Sequence, residues 1–432
     1  MTGANLKIKN RTFVLCMLTL VYGFNFIDRQ IVGILAPFIQ QDLELSDTQL
    51  GLLIGFAFAL FYTIMGIPLA LLADRINRVT LLSASLAIWS GFTALTGFAQ
   101  NFLHIGLARM GVGIGEAGGS PSSHSIISDL YAKEERAGAL GFYALGIPIG
   151  IMSAFFITAF LLGADPSTVN WRRIFIILGV SGVILAVILK LVVEEPVRGA
   201  MEGNNQATRV PLKEAVTVLL KIPSWWYMCI GISFATFASY AFGGFQTKFI
   251  RTLDPDYDFQ MVVIYLGIIN GIAYAGGTYF GAKLVDILSK RDVRAYGFVP
   301  GISLLLAFPI AIVTLNADNV ESHLLWSALL LSLMGTYTGP SFAVAQTLSP
   351  VQIRATSTAL FFFIFNLIGL GGGPTMAGIM IDYFGNSHPP LDAIRLGLIS
   401  VAGAFVVSFL FFCRAAFSMP KDWADAEARN RQ

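Results

Sequence analysis

Four ionisable side chains stand where an apolar chain has no use for charge. Asp28 and Arg29 lie deep in an apolar stretch that starts at Thr12, and Arg109 and Glu116 lie deep in another that starts near Phe102. An ionised group at the centre of a bilayer costs about 2.5–3.5 kcal/mol on the translocon scale, so these four must pair, take protons or face water. At 100° per residue, Glu116 falls about 20° round its helix from Arg109, with Ser120 about 40° further on and Ser123 on the same side. Arg109 and Glu116 are then ~10 Å apart along the axis, too far to touch but well placed to flank one cavity. A carboxyl binds its proton more tightly in a low dielectric and less tightly beside an arginine. Asp28 and Glu116 are therefore the expected proton-coupling groups, loaded from one side and unloaded to the other. Arg109 keeps its charge under all conditions, and its forked guanidinium suits a phosphate or carboxylate headgroup. Arg29 is assigned to the same headgroup, with a packing or snorkelling charge as the alternative. The competing reading of the whole set is a structural one, in which the charges only hold helices one and four together.

The elements that carry these groups follow from composition. Of 432 residues, 55% are hydrophobic and 12% charged, against about 25% charged in soluble domains, so a water-soluble fold is excluded. Mean hydropathy is +0.71. A net charge of +2 offers nothing to a nucleic acid. Cys16, Cys229 and Cys413 lie in apolar runs without metal-ligand spacing, and with 4 His they give no zinc site or disulfide framework. Lys7, Lys9 and Arg11 precede an apolar run reaching residue 40, longer than the ~7–15 residues of a signal peptide, so a retained first span is expected.

Runs near the ~20 residues needed to cross a bilayer occur at 12–40, 48–72, 79–99, 102–128, 137–163 and 174–193, then at 225–250, 261–284, 295–315, 324–347, 356–384 and 393–412. The long polar break between the two sets holds Pro196 and Pro211. The expected fold class is an all-α membrane protein of twelve transmembrane helices in two pseudo-symmetric six-helix bundles, 1–195 and 224–432, with a cytosolic linker at 196–223. With the N-terminus inside, most of the 28 Lys and Arg fall in inner segments; outside are only Arg172, Arg173, Lys248, Arg251 and Arg395. Both termini are then cytosolic. The halves echo each other: Asp74 and Arg75 after span two match Asp286, Lys290 and Arg291 after span eight, and Arg136 matches Arg354. Parallel repeats of this kind are a transporter plan with the substrate site near the midplane.

Three segments carry a family resemblance. Pro68 through Asp74-Arg75-Ile-Asn-Arg78 resembles the loop between helices two and three of the major facilitator superfamily, with Asn77 in place of the usual Gly. Leu107-Ala-Arg109-Met-Gly111-Val-Gly113-Ile-Gly115-Glu116 resembles its fourth-helix motif, and Gly146-Ile-Pro148-Ile-Gly150 its fifth-helix Gly/Pro motif. Asn25-Phe-Ile-Asp28-Arg29 and Trp171-Arg172-Arg173-Ile-Phe175 look most like the spinster branch, associated with lysophospholipid and sphingosine-1-phosphate transport. The resemblance implies a cytosolic gate in which Asp74 meets the start of helix eleven and Arg75 or Arg78 lies near Asp129, with Arg136 and Asp286 in the same set. Plain topology-setting charge is the alternative for all of them.

The second half has no charge at the corresponding mid-span depth; Glu116 aligns with Met334, and aromatic residues take over. Asn25, Ser120, His124, Tyr240, Phe242, Tyr337 and Asn366 are the expected cavity lining. An ionic wall and an aromatic wall suit an amphiphile. The expected function is proton-coupled, alternating-access transport of a lysolipid-like solute by a functional monomer, with protons as the coupling ion, no metal or cofactor, and a bacterial inner membrane as its place. The alternatives are a symporter of a small organic anion such as a sugar acid, or a drug/proton antiporter. An enzyme is not expected, since no HExxH, GxSxG or Walker loop occurs.

Overall fold

Asparagine starts five of the long helices. The side chains of Asn10, Asn77, Asn101, Asn170 and Asn319 each accept a main-chain N–H from the first turn that follows, where helical amides have no partner of their own. The computed structural model describes residues 10–162, 169–201 and 211–431. Lys7 and Lys9, the end of the fifth span at Gly163, and the linker run with Asn204, Asn205 and Arg209 lie outside the described residues.

The chain runs through α1 (Arg11–Ile34), α2 (Ala36–Asp42), α3 (Asp47–Ile54), α4 (Phe56–Ala73), α5 (Arg78–Thr96), α6 (Phe102–Glu116), α7 (Gly119–Leu130), α8 (Lys133–Ala144), α9 (Gly146–Leu162) and α10 (Trp171–Val192). A short α11 (Leu212–Leu219) precedes α12 (Pro223–Leu253), α13 (Phe259–Ile269), α14 (Ala275–Ser289), α15 (Ala295–Leu315), α16 (Val320–Gly335) and α17 (Thr338–Thr347). The last four are α18 (Arg354–Phe365), α19 (Gly373–Gly385), α20 (Pro390–Ala402) and α21 (Ala404–Arg431). Among the described residues there is no β-strand, and 11 helical stretches are long and apolar enough to cross a membrane. The fourth expected span, divided by Ala117 and Gly118 into α6 and α7, is not among them; Arg109, Glu116 and the run of Ser and His in α7 make it the more polar.

The interruptions recur in step. Gly55 breaks the second span, and a π-helical turn at Asn270–Tyr274 distorts the eighth. Ala117 and Gly118 break the fourth, and Thr336 and Tyr337 the tenth. Leu145 breaks the fifth, and a π-helical stretch, Asn366–Gly372, joins α18 to α19 in the eleventh. π-Turns of this kind concentrate at functional positions. The pairing of breaks sets Glu116 against Gly335, one residue from the Met334 expected from sequence offsets, and both ends lack a charge on the second copy.

Two compact units emerge: Met1–Leu45, Ala57–Gln206 and Asp258–Gly267 in one, and Ser46–Phe56, Ala207–Tyr257 and Ile268–Gln432 in the other. Relative to a plain division into halves, two pieces have changed sides. The outer turns of span two, α3, pack on α19 in the second unit. The start of α13 packs in the first, where Gln260 Nε2 donates to the Ala159 carbonyl at 2.9 Å and Phe259 meets Phe38 edge-on. Inside the first unit α5 lies along α10 and α6, and α1 along α9. Gly115 makes the α5–α6 approach possible: a Cβ there would sit 2.7 Å from the Trp89 amide nitrogen. Inside the second unit α12 and α15 pack on α21, whose C-terminal turns continue far enough for Asp422 to accept the Ser224 N–H at 2.8 Å and cap α12.

Candidate functional site

In the first unit, α1, α4 and α6 bring the four intramembrane charges together. Glu116 ends α6 just before the break, with its side chain fully buried. Its Oε2 accepts from Arg29 Nε at 2.8 Å, and its Oε1 has no hydrogen-bond partner. The Arg29 guanidinium lies over three rings, those of Phe26, Phe58 and Tyr62, at 5.1, 5.1 and 4.6 Å from their centroids. Arg109 shares the Phe58 ring at 5.1 Å and donates from Nη1 to the main-chain carbonyl of Asp28 at 3.4 Å. Asp28, Arg109 and Glu116 are all buried, as is Asn25 one turn before Asp28, whose Oδ1 is also without a donor. On α5, the buried Trp89 indole N–H and Thr93 hydroxyl face the Asp28 carboxyl. A buried polar atom left unpaired costs about 1–3 kcal/mol, so Glu116 Oε1 and Asn25 Oδ1 mark a place for water, a proton or a ligand's polar group.

Sequence reasoning assigned Arg29 to the headgroup, with a packing or snorkelling charge as the alternative; the structure pairs it with Glu116. It gave no part to Phe58 or Tyr62, whose aromatic character was indistinguishable from packing until the guanidinium lay across them. The remaining first-unit residues form a second group. Tyr143 stacks on Tyr22 with centroids 4.4 Å apart, and His124, exposed, meets Tyr143 edge-on at 5.4 Å. Ser120 and Ser123 lie on the same face beside the Tyr143 hydroxyl.

The inner charges are organised around Arg78 rather than Arg75. Arg78 is buried and pairs with Asp129, with Glu195 Oε1 at 2.7 Å, and with the Ser125 hydroxyl at 2.9 Å. Its Nη2 also donates to the Pro196 carbonyl at 2.9 Å. Glu195 caps α5 by accepting the Val79 N–H at 2.9 Å, Gly199 N–H donates to Asp129 at 3.0 Å, and Arg198 donates to the carbonyls of Ala73, Asp74 and Ile76. The first residues after span six are thus strapped across the loop between spans two and three. The Asp74 and Arg75 side chains are exposed. Arg136 donates to the Ser128 carbonyl at 2.9 Å, and Arg11 pairs with Glu135, holding that carboxyl below its ordinary value.

In the second unit, Tyr337 is buried with its hydroxyl 3.4 Å from Ser239, in the neighbourhood of Tyr240 and Tyr274. Asn366 opens the π-helical stretch and donates to the Phe362 carbonyl at 2.9 Å. Phe242 is buried and stacks on His323, so it belongs to a packed layer. Phe361, Phe362 and Phe365 surround Phe342. Asp286 is exposed on α14. Among the described residues, no group of three or more His, Cys, Asp or Glu could hold a metal ion.

A family profile described as Major Facilitator Superfamily matches residues 18–374. The chain is 31% identical over 371 residues to an MFS-type efflux pump of Mycolicibacterium smegmatis, covering 85% of this chain and 83% of the relative. It is 28% identical over 434 residues to the probable L-galactonate transporter of Escherichia coli, covering 95% and 91%. A crystal structure of a bacterial homolog to the human lysosomal transporter spinster, in an inward-facing and unoccupied conformation, superposes with a TM-score of 0.87 at 29% identity, covering 96% of this chain and 99% of that one.

Proposed function

Because the chain belongs to the major facilitator superfamily, and is therefore a multi-pass membrane transporter rather than an enzyme, we propose that it carries an anionic, lysolipid-like amphiphile by alternating access, coupled to protons. One observation carries this reading: two guanidinium groups, Arg29 and Arg109, share one buried site with Glu116, which has one oxygen paired and one orphaned.

The coupling follows from competition. A deprotonated Glu116 claims Arg29. A proton on Glu116 cancels that claim and leaves the guanidinium for a phosphate or carboxylate headgroup, which Arg109 binds as well. Loss of the proton restores the ion pair and expels the anion. Asp28 supplies the second titratable group of the set. Phe26, Phe58 and Tyr62 give the headgroup site an apolar rim, the surface that the start of an acyl chain needs. In this reading the carrier works as a monomer in a bacterial inner membrane.

The test is uptake by proteoliposomes of a labelled lysophospholipid under an imposed pH gradient. Uptake that the gradient drives, and that Asp28→Asn or Glu116→Gln uncouples, supports the proposal. Saturable movement of a sugar acid that lysophospholipid does not inhibit overturns the lipid half of it. That second reading, a symporter of a small organic anion, is favoured by the likeness to the probable L-galactonate transporter; it uses the same Arg109 and leaves the proton scheme in place.

A further inference from the structure

The second span is shared between the two units: its inner part, α4, lies in the first and its outer part, α3, in the second. What fastens α3 to the second unit is unusually polar. Asp382, near the end of α19, accepts the N–H of Asp47 on Oδ1 at 3.0 Å and the N–H of Thr48 on Oδ2 at 2.8 Å. Those are the first two residues of α3, whose amides have no partner within the helix. The helix caps its other early groups by itself. Ser46 Oγ takes the Gln49 N–H at 3.2 Å, and Gln49 Oε1 takes the Ser46 N–H at 3.0 Å, a complete capping box. The two amides that the box leaves over are handed to Asp382, which also meets the Thr48 and Ser46 hydroxyls.

Charge and packing agree with that arrangement. A carboxylate at a helix N-terminus faces the positive end of the helix dipole. Lys248, from α12, forms an ion pair with the Asp47 side chain, so the two carboxylates at the joint are matched by an ammonium and a helix end. Beneath it the backbones are in contact: a Cβ at Gly378 would collide with the Asp47 carbonyl, and Thr375 Oγ1 lies 3.4 Å from the Gly51 carbonyl. At its other end α3 is separated from α4 by Gly55, which has left helical geometry (φ −107°, ψ −88°), so α3 is a self-capped segment joined to α4 at a bend.

We propose that Asp382 is a latch on the outer end of the second span, a carboxylate that holds α3 on α19 in one state of the transport cycle and releases it in the other, with Lys248 as the residue that positions Asp47 for it. The proposal rests on carrier activity alone, and on neither the substrate nor the coupling ion. Because α3 caps itself, it leaves as an intact helix. The latch gives up the two amide bonds, the contacts of Asp382 with the Thr48 and Ser46 hydroxyls, and the ion pair to Lys248.

The experiment uses the full-length protein in liposomes, in a background with Cys16, Cys229 and Cys413 replaced by serine. Thr375→Cys, half-buried beneath α3, reports release through its labelling rate with a membrane-impermeant maleimide added outside. Ser233→Cys, fully buried in α12, reports general loosening through labelling with N-ethylmaleimide. With the latch removed by Asp382→Ala, labelling at residue 375 is expected to rise about ten-fold while residue 233 stays at the parent rate. Asp382→Asn retains one acceptor oxygen and should give an intermediate rate, and it serves if the alanine variant does not fold. Lys248→Met should move residue 375 in the same direction. A rate at residue 375 within two-fold of the parent in the Asp382 variants, or equal acceleration at both reporters, overturns the latch. Neither result bears on lipid or proton uptake.

Discussion

Arg29 and Glu116 form a 2.8 Å ion pair inside the first unit, while Arg109, seven residues before Glu116 on the same helix, reaches the main-chain carbonyl of Asp28. Adjacent residues of α1 thus serve different partners on α6: Arg29 through its side chain, Asp28 through its backbone. The pair is buried, with side-chain exposures of 13% and 0%, and pairs of this kind carry more information about function than about stability, since their desolvation cost offsets most of their attraction.

Removing the acid separates those two contributions. Glu116→Ala should lower stability by about 3–5 kcal/mol, the usual cost of breaking a buried pair, reduced by the three rings that hold the Arg29 guanidinium. Glu116→Gln keeps an acceptor for Arg29 and should fold with a small loss of Tm. Its uptake should no longer respond to a pH gradient. Thermal unfolding in detergent and gradient-driven uptake read the two effects; a Gln variant still driven by the gradient removes Glu116 from the coupling.

Arg109→Lys tests the headgroup role. Lysine keeps the charge but loses the fork and the flat face that lies on Phe58, so anion binding should weaken by about ten-fold or more while Tm changes little. Binding of the labelled solute to the detergent-solubilised variant checks this. Affinity equal to the parent's shows that a point charge suffices and that Arg109 does not recognise a planar anion.

The strap behind span six makes a different prediction. Arg78→Lys cannot reproduce bonds to Asp129, Glu195, Ser125 and Pro196 at once, and should cost about 3 kcal/mol. Glu195→Gln, which keeps its cap on Val79, should cost about 1 kcal/mol. Limited proteolysis after residue 199 should be faster in the first variant than in the second. Equal cleavage in both would mean that the strap is held by Arg198 alone.

Asp74 is the control on the inner gate. Its side chain is exposed and its carbonyl accepts from Arg198, and exposed substitutions usually stay within about 0.5 kcal/mol, so Asp74→Asn should leave stability within that range. Insertion should be normal and transport slower. Parent turnover would leave Asp74 with topology alone.

Hydropathy and charge made the architecture legible, since each span is a local run and each inner loop carries its own cations. The four intramembrane charges were legible for the same reason. The division of the fourth span at Ala117 and Gly118 was not, because Gly is frequent in membrane helices that stay intact. The partner of Arg29 was not legible: a helical wheel places Cβ atoms, and a long guanidinium reaches beyond the face that the wheel draws. The loop after span two holds both Arg75 and Arg78, and the sequence does not choose which of them meets Asp129. Burial chose Arg78. That Phe361, Phe362 and Phe365 gather around Phe342 was not legible either, because a run of aromatic residues does not name the ring it packs on.

Sequence by itself determined that this is a helical membrane protein with a repeat, which end of each helix faces the cytosol, and which few residues carry charge in the hydrocarbon. Those are properties of short windows, in which solvent preference acts on neighbours along the chain. Tertiary structure alone decided which cation meets which acid: Arg29 with Glu116 across 87 residues, Arg78 with Glu195 across 117, and Asp382 with the start of α3 across 335. Hydrogen bonds and ion pairs act over a few ångströms, so their partners are fixed only when helix register and side-chain reach are fixed, and no window of sequence contains both.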